Sequence, residues 1–185
     1  MTTYFKKITN LSLPTADPDS VKGDLLTHFG RNRYYNISDK SFYNAIANSF
    51  SVPPKQIFLG EVLGPLNCHI DYGVSSCLNY YLRPAEYITE FWEPIENARR
   101  IRAKRYDKAT DTYKDVLLGY ERDDCILKDS FVAETGDMYI LNISKVHSLT
   151  HQLYSFDYYS TDNTRSFIQC QWHNQYFELI KMMEI

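Results

Sequence analysis

The chain has 185 residues, with 20 Lys plus Arg against 23 Asp plus Glu and a net charge of −3. That length suits one domain with a core of its own. The mildly acidic balance argues against a nucleic-acid or membrane-surface binder, both of which favour a basic face.

No uninterrupted apolar run approaches the roughly 18 residues of a membrane span. Residues 1–7 lack the apolar stretch of a signal peptide, so a soluble, cytoplasmic protein is expected. The cysteines Cys68, Cys77, Cys125 and Cys170 form no Cys-x-x-Cys pair, which argues against a zinc ribbon. In a reducing compartment they read as core thiols. The 16 Tyr, 10 Phe and 2 Trp favour strands, where flat rings pack on a pleated surface.

In chain order, Asp17-Pro18-Asp19-Ser20 reads as a helix start, and the spacing over 21–29 predicts a helix closed by Gly30. Ser38-Asp39-Lys40-Ser41 precedes Phe42, Ile46 and Phe50, spaced four apart. This predicts a second amphipathic helix, ended by Pro53-Pro54. From Gln56 the texture changes. Residues 56–63 are strand-like and stop at Gly64-Pro65, and strands over 68–72, 75–82 and 87–92 follow, each bounded by Gly or Pro. The basic run from Arg99 to Arg105, with Lys108, reads as a solvated connection between strands, with a contact to an anionic substrate or nucleic acid as the alternative. Its field is damped by Asp107, Asp111, Asp115, Asp123 and Asp124. Further strands are predicted over 115–121, 130–134, 137–143, 146–156, 166–172 and 176–182. Helices precede strands instead of alternating with them, which argues for a mainly β sandwich or barrel with N-terminal helices. The expected organisation is a single domain over 1–185, with a helical N-terminal support at 1–55 and a β core at 56–185.

The chemistry centres on His69-Ile70-Asp71. Two residues apart on a strand, the imidazole and the carboxylate point to one face. Of the other histidines, His147 is the preferred partner and His151 the decoy, sharing its face four residues on. His28 reads as a surface residue at the end of the first helix, and His173 as a strand-end residue. Two imidazoles and one carboxylate form the facial triad of non-haem Fe(II) oxygenases, which leaves metal positions open for substrate. Cys68 should point away from that face. Arg165 opens a later strand, 18 residues after His147.

This ordered set resembles the Fe(II)/2-oxoglutarate-dependent dioxygenase superfamily. Asn67-Cys68-His69-Ile70-Asp71, followed by Leu78-Asn79-Tyr80-Tyr81-Leu82, resembles its first metal-binding strand and next core strand. Thr135-Gly136-Asp137, followed by Lys145-Val146-His147-Ser148, resembles its Gly-Asp turn and distal histidine. Arg165-Ser166-Phe167-Ile168 resembles the strand whose arginine holds the co-substrate. The likeness covers about residues 56–172. It implies a double-stranded β-helix (jelly-roll, cupin-like) core, with Fe(II) held by His69, Asp71 and His147. It also implies 2-oxoglutarate as co-substrate, with Arg165 on its distant carboxylate and Asn79 or Tyr81 as further contacts, and O2 as oxidant. The implied activity is a hydroxylase coupling oxidative decarboxylation of 2-oxoglutarate to C–H oxidation of a small molecule or an exposed protein side chain.

The spacing from His147 to Arg165 is longer than is common in that family. It requires an extended hairpin over 154–159, and Lys145 and Lys181 stand as alternative cations. Tyr80, Tyr81 and Trp92 also read as ordinary core. Two other functions remain open: a cupin-like metal protein, such as an isomerase or sensor, and a non-enzymatic jelly-roll binding module.

Overall fold

The computed structural model describes residues 4–29, 31–71, 73–107, 111–151 and 163–183. Strand β1 (Phe5–Ile8), helix α1 (Pro18–Val21), strands β2 (Lys22–Phe29) and β3 (Asn32–Ile37) and helix α2 (Lys40–Asn48) lead into β4 (Gln56–Val62). Next come β5 (Leu66–His69), β6 (Cys77–Arg83), β7 (Tyr87–Pro94), β8 (Arg100–Asp107) and β9 (Thr112–Tyr120). After a 3-10 turn at Arg122–Asp124 follow β10 (Cys125–Val132), β11 (Met138–Leu141), β12 (Val146–His151), β13 (Arg165–Gln171) and α3 (Tyr176–Met183).

The strands form two antiparallel sheets. The larger runs β1-β11-β6-β13-β4-β3-β2 and the smaller β10-β7-β12-β5-β9-β8. One core lies between the sheets, built from Val62, Tyr81 and Phe167 on one side and Tyr87, Phe91 and Leu149 on the other. A second core covers the opposite face of the larger sheet. There Leu59, Leu78, Ile140 and Ile168 meet Phe42 and Ile46 of α2 and Leu179 and Ile180 of α3.

Central strands of the larger sheet are therefore buried on both faces. In β6 the pleat sends Cys77, Asn79 and Tyr81 towards the smaller sheet and Leu78, Tyr80 and Leu82 towards the helices. Such a strand tolerates almost no solvated side chain. Asn79 and Arg165 are nonetheless buried on that inner face, where an unmatched polar group is costly.

The second amphipathic helix forms as expected, with the Asp39 side chain accepting from the N–H groups of Ser41 and Phe42 at 2.8 and 3.0 Å. Four other expectations fail. The helix over 21–29 is a single turn, α1, followed by strand β2. Gly23 disfavours helix and lies so close to Asn36 that a Cβ would sit 1.9 Å from its Oδ1, and Leu25 and Leu26 are solvent-exposed instead of forming a buried stripe. The N-terminal region 1–55 is therefore not only helical support, since it supplies β1, β2 and β3 to the larger sheet. The strand over 176–182 is helix α3. Its buried residues Tyr176, Leu179 and Ile180 keep a three-and-four spacing, and its first turn is tied by the Gln175 N–H donating to Glu178 Oε2 at 3.1 Å. The basic run is not a connection but β8, the outermost strand of the smaller sheet, paired along its length with β9. Charge on an edge strand discourages pairing with other chains. The hairpin expected over 154–159 lies outside the described residues.

Candidate metal centre

Strands β5 and β12 are neighbours, and their register sets His69 opposite His147. Their side chains therefore emerge together on the inner face, with ring centroids 4.2 Å apart. Asp71 stands just beyond the end of β5. Its N–H donates to the Ile143 carbonyl at 3.3 Å, and its carboxylate is set between the rings. Oδ1 lies 3.6 Å from His69 Nε2 and Oδ2 lies 3.9 Å from His147 Nε2. One donor atom from each of the three residues falls within 4.8 Å of the other two.

Each imidazole is oriented by its own strand. His69 Nδ1 lies 2.8 Å from the Asn67 carbonyl oxygen, and His147 Nδ1 lies 2.9 Å from that of Lys145. A carbonyl only accepts, so both Nδ1 atoms carry a proton, and in the neutral rings it is the Nε2 lone pairs that face Asp71. Two neutral imidazoles and a carboxylate, with nothing else from the described residues in the cluster, suit a divalent transition metal with open positions.

Burial holds the His147 pKa well below the ordinary imidazole value, and the neighbouring His69 adds to that effect. The Asp71 carboxylate and the Lys145 carbonyl oppose it. The neutral ring is the metal-binding form. In the metal-free chain, folding stability should therefore fall as pH drops below about 6.5, where an unfolded imidazole takes a proton that folded His147 resists. The decline should level off below the lowered folded value. Denaturation midpoints measured from about pH 7.5 to 5 test this, and His147→Gln should flatten the curve. An unchanged slope in that variant would assign the effect elsewhere.

The same cleft contains Arg165, at the start of β13 and only 2 % exposed. Its Nη2 donates to Thr89 Oγ1 at 3.0 Å, and its guanidinium lies 4.4 Å from the centroid of the Tyr81 ring. Nε and Nη1 are buried and meet no acceptor among the described residues. Burial lowers the Arg165 pKa, and Tyr81 counteracts it. Arginine stays protonated even so. A buried cation with two idle donors is costly, and an anionic ligand in the cleft would satisfy them.

Asn79 and Tyr81 both line the cleft. Asn79 Oδ1 accepts from Gln169 Nε2 at 3.0 Å, and Gln169 Oε1 accepts from Gln171 Nε2 at 2.9 Å. This chain of amides leaves Asn79 Nδ2 as its donor end. Tyr81 is 1 % exposed and serves as both core packing and the platform under Arg165.

Other candidates lie elsewhere. His151 points inward but bonds Asn163 Nδ2 at 3.0 Å and stands edge-on to Tyr87, outside the cluster. His28, His173, Lys145 and Lys181 are exposed. Cys68 is buried beside Trp92 and Val146 on the far face of the smaller sheet, as the strand alternation requires. Trp92 donates to Ser148 Oγ at 2.9 Å on that same outer layer, with Arg122 over its ring, and does not reach the cleft. Thr89, Gln169 and Phe167 were not anticipated. The two-residue alternation of Tyr87, Thr89 and Phe91, and of Arg165, Phe167 and Gln169, carries that information once the inner face is known.

No helix among the described residues is long and apolar enough to cross a membrane. Neither the comparison with known protein families nor the comparison with curated proteins gives a match for this chain.

Proposed function

We propose that this chain is an Fe(II)- and 2-oxoglutarate-dependent oxygenase, acting as a hydroxylase on an organic substrate. One observation carries the reading: a single cleft contains both a convergent His-Asp-His set and a buried arginine with unpaired donors. A metal triad alone would fit a cupin-like isomerase or sensor equally well. The buried guanidinium adds a demand for a carboxylate-bearing ligand beside the metal.

The strand order supports a double-stranded β-helix core. Strands β4, β6, β11 and β13 lie together in the larger sheet and β5, β7, β10 and β12 in the smaller, so that the chain crosses between sheets at nearly every step. This is the winding expected of a jelly-roll. The extra strands β1, β2 and β3 extend one layer, and β8 and β9 the other. Cytoplasmic location is part of the same proposal, and four unpaired cysteines suit a reducing compartment.

In this reading His69, Asp71 and His147 hold Fe(II). When bound, Fe(II) with 2-oxoglutarate and O2 supplies the oxidising power for C–H oxidation, with succinate and CO2 as co-products. Arg165 grips the distant carboxylate of 2-oxoglutarate, positioned by Thr89 and the Tyr81 ring. Asn79 offers its Nδ2 to the end nearer the metal. Phe167 and Leu149 wall the cleft and limit water, which strengthens the ionic grip.

The test is anaerobic titration of the apo chain with Fe(II) and then 2-oxoglutarate, watching for a visible metal-to-ligand charge-transfer band. The band should form in the wild type and in His173→Ala and be absent in His147→Ala. Iron binding without a band would remove 2-oxoglutarate from the proposal. A band that survives His147→Ala would remove the assigned ligand set.

A further inference from the structure

A second, larger cavity opens from the metal centre, with a volume of about 590 Å³. It shares His69, Asp71, Asn32, Tyr34, Ile143 and Gln169 with the cleft around Arg165. This size suits a small organic molecule. Residues Leu26, Phe58, Ile70 and Val74 give it apolar walls, and among the described residues its titratable lining besides His69 and Asp71 is Lys55 and two tyrosines.

The register of β13 orders these groups. Arg165, Phe167, Gln169 and Gln171 alternate along one face, with Arg165 paired to Val62 and Gln171 to Gln56. The Lys55 N–H donates to the Gln171 carbonyl at 2.9 Å, so Lys55 stands at the end of the strand pair opposite Arg165. Gln169 borders both cavities and lies between the two cations. From Gln169 to the level of Lys55 is three residues of strand, roughly 10 Å. Lys55 has no ion-pair partner among the described residues, and Gln56 and Gln171 flank it as amides in the same wall.

We infer that this cavity binds the substrate to be oxidised, and that this substrate is a small carboxylic acid with an apolar body. Its carboxylate pairs with Lys55 and its carbon end points at the metal. The inference rests on the proposed metal centre but goes beyond it, because nothing in the triad or at Arg165 specifies a second acid. A single ammonium with neighbouring amides matches one carboxylate better than a phosphoryl group, which calls for more positive charge. The opposed cations also separate the two acids. The buried planar guanidinium takes the co-substrate, and the exposed ammonium takes the substrate from solvent.

Hexanoate is a suitable probe, with hexanamide as its neutral counterpart. Binding to the full chain is followed by ligand-observed NMR, with and without Mn(II), which is paramagnetic and stable in air. Hexanoate should bind at least about fivefold more tightly than hexanamide, in line with the loss of one charge-assisted hydrogen bond. Lys55→Gln should erase that preference and Lys55→Arg should keep it. With Mn(II) bound, the methyl protons should relax faster than the protons beside the carboxylate. Equal binding of acid and amide, no binding of either, or unchanged affinity in Lys55→Gln would overturn the assignment. Fastest relaxation beside the carboxylate would overturn the orientation. Lys55-dependent hexanoate binding in a chain that takes up no Mn(II) would support the anion site while sinking the metal reading, so the two fail separately.

Discussion

Under the proposed function, replacing Arg165 with methionine should weaken 2-oxoglutarate binding roughly tenfold to a hundredfold, the cost of one to two hydrogen bonds to a charged group. Fe(II) affinity should change little, because Arg165 bonds to Thr89 and packs on Tyr81 and makes no hydrogen bond to the three metal-site residues. Stability should also hold. The guanidinium is buried with Nε and Nη1 unpaired among the described residues, and exchanging such a charge for an apolar side chain of similar volume is often neutral or stabilising. The variant thus separates ligand binding from folding. Arg165→Lys should rescue little, since an ammonium cannot make the planar two-point contact with a carboxylate. Anaerobic titration of the charge-transfer band, together with thermal melts, measures all three quantities. Wild-type 2-oxoglutarate affinity in Arg165→Met would show that another group anchors the co-substrate.

Gly119→Ala should damage both the fold and the candidate metal centre. Gly119 of β9 is the register partner of His69, and the strands approach so closely that a Cβ there would lie 1.7 Å from the Cys68 carbonyl oxygen and 2.7 Å from the His69 Cα. Both obstacles are backbone, so no side-chain rotation relieves the clash and β9 must move off β5. A penalty of about 3 kcal/mol, lowering Tm by roughly 6–12 °C for a chain of this size, is expected. Fe(II) affinity should fall at least about tenfold, as it does when groups that orient a metal ligand are disturbed. Gly136→Ala is the control. Its backbone is left-handed, at φ +91°, but a Cβ would meet nothing within 4 Å, so it should cost only about 1–2 kcal/mol and leave iron binding intact. Equal iron affinities in the two variants would refute the coupling of β9 to the site.

The clustering of His69, Asp71 and His147 was legible because strand geometry has a short period. His69 and Asp71 could be paired from their spacing alone, although Asp71 proves to lie past the strand end and is set by the Ile143 carbonyl. The choice of His147 over His151 follows from the β5–β12 register, which no local pattern reveals. The close approach at Gly119 was equally hidden, since a glycine in a strand-like run gives no hint of which backbone it must admit. Misreadings clustered at the periphery. Over 22–29 the apolar residues are few and over 176–183 they fill most positions, so that either period can be fitted to both. There, pairing with β3 decided for strand and packing under the larger sheet decided for helix. The β8 strand was masked by its charge, because an edge strand needs backbone pairing on one side only and its side chains need not be apolar.

The imidazoles of His69 and His147 are each braced by a main-chain carbonyl two residues earlier. Peptide carbonyls are present whatever side chain the position carries. Positions 67 and 145, which are solvent-exposed, can therefore drift through many substitutions without releasing either ring. The cost of divergence falls on His69, Asp71 and His147 themselves and on backbone geometry. A lineage of such proteins could lose nearly all flanking similarity while keeping the same three donor atoms in place.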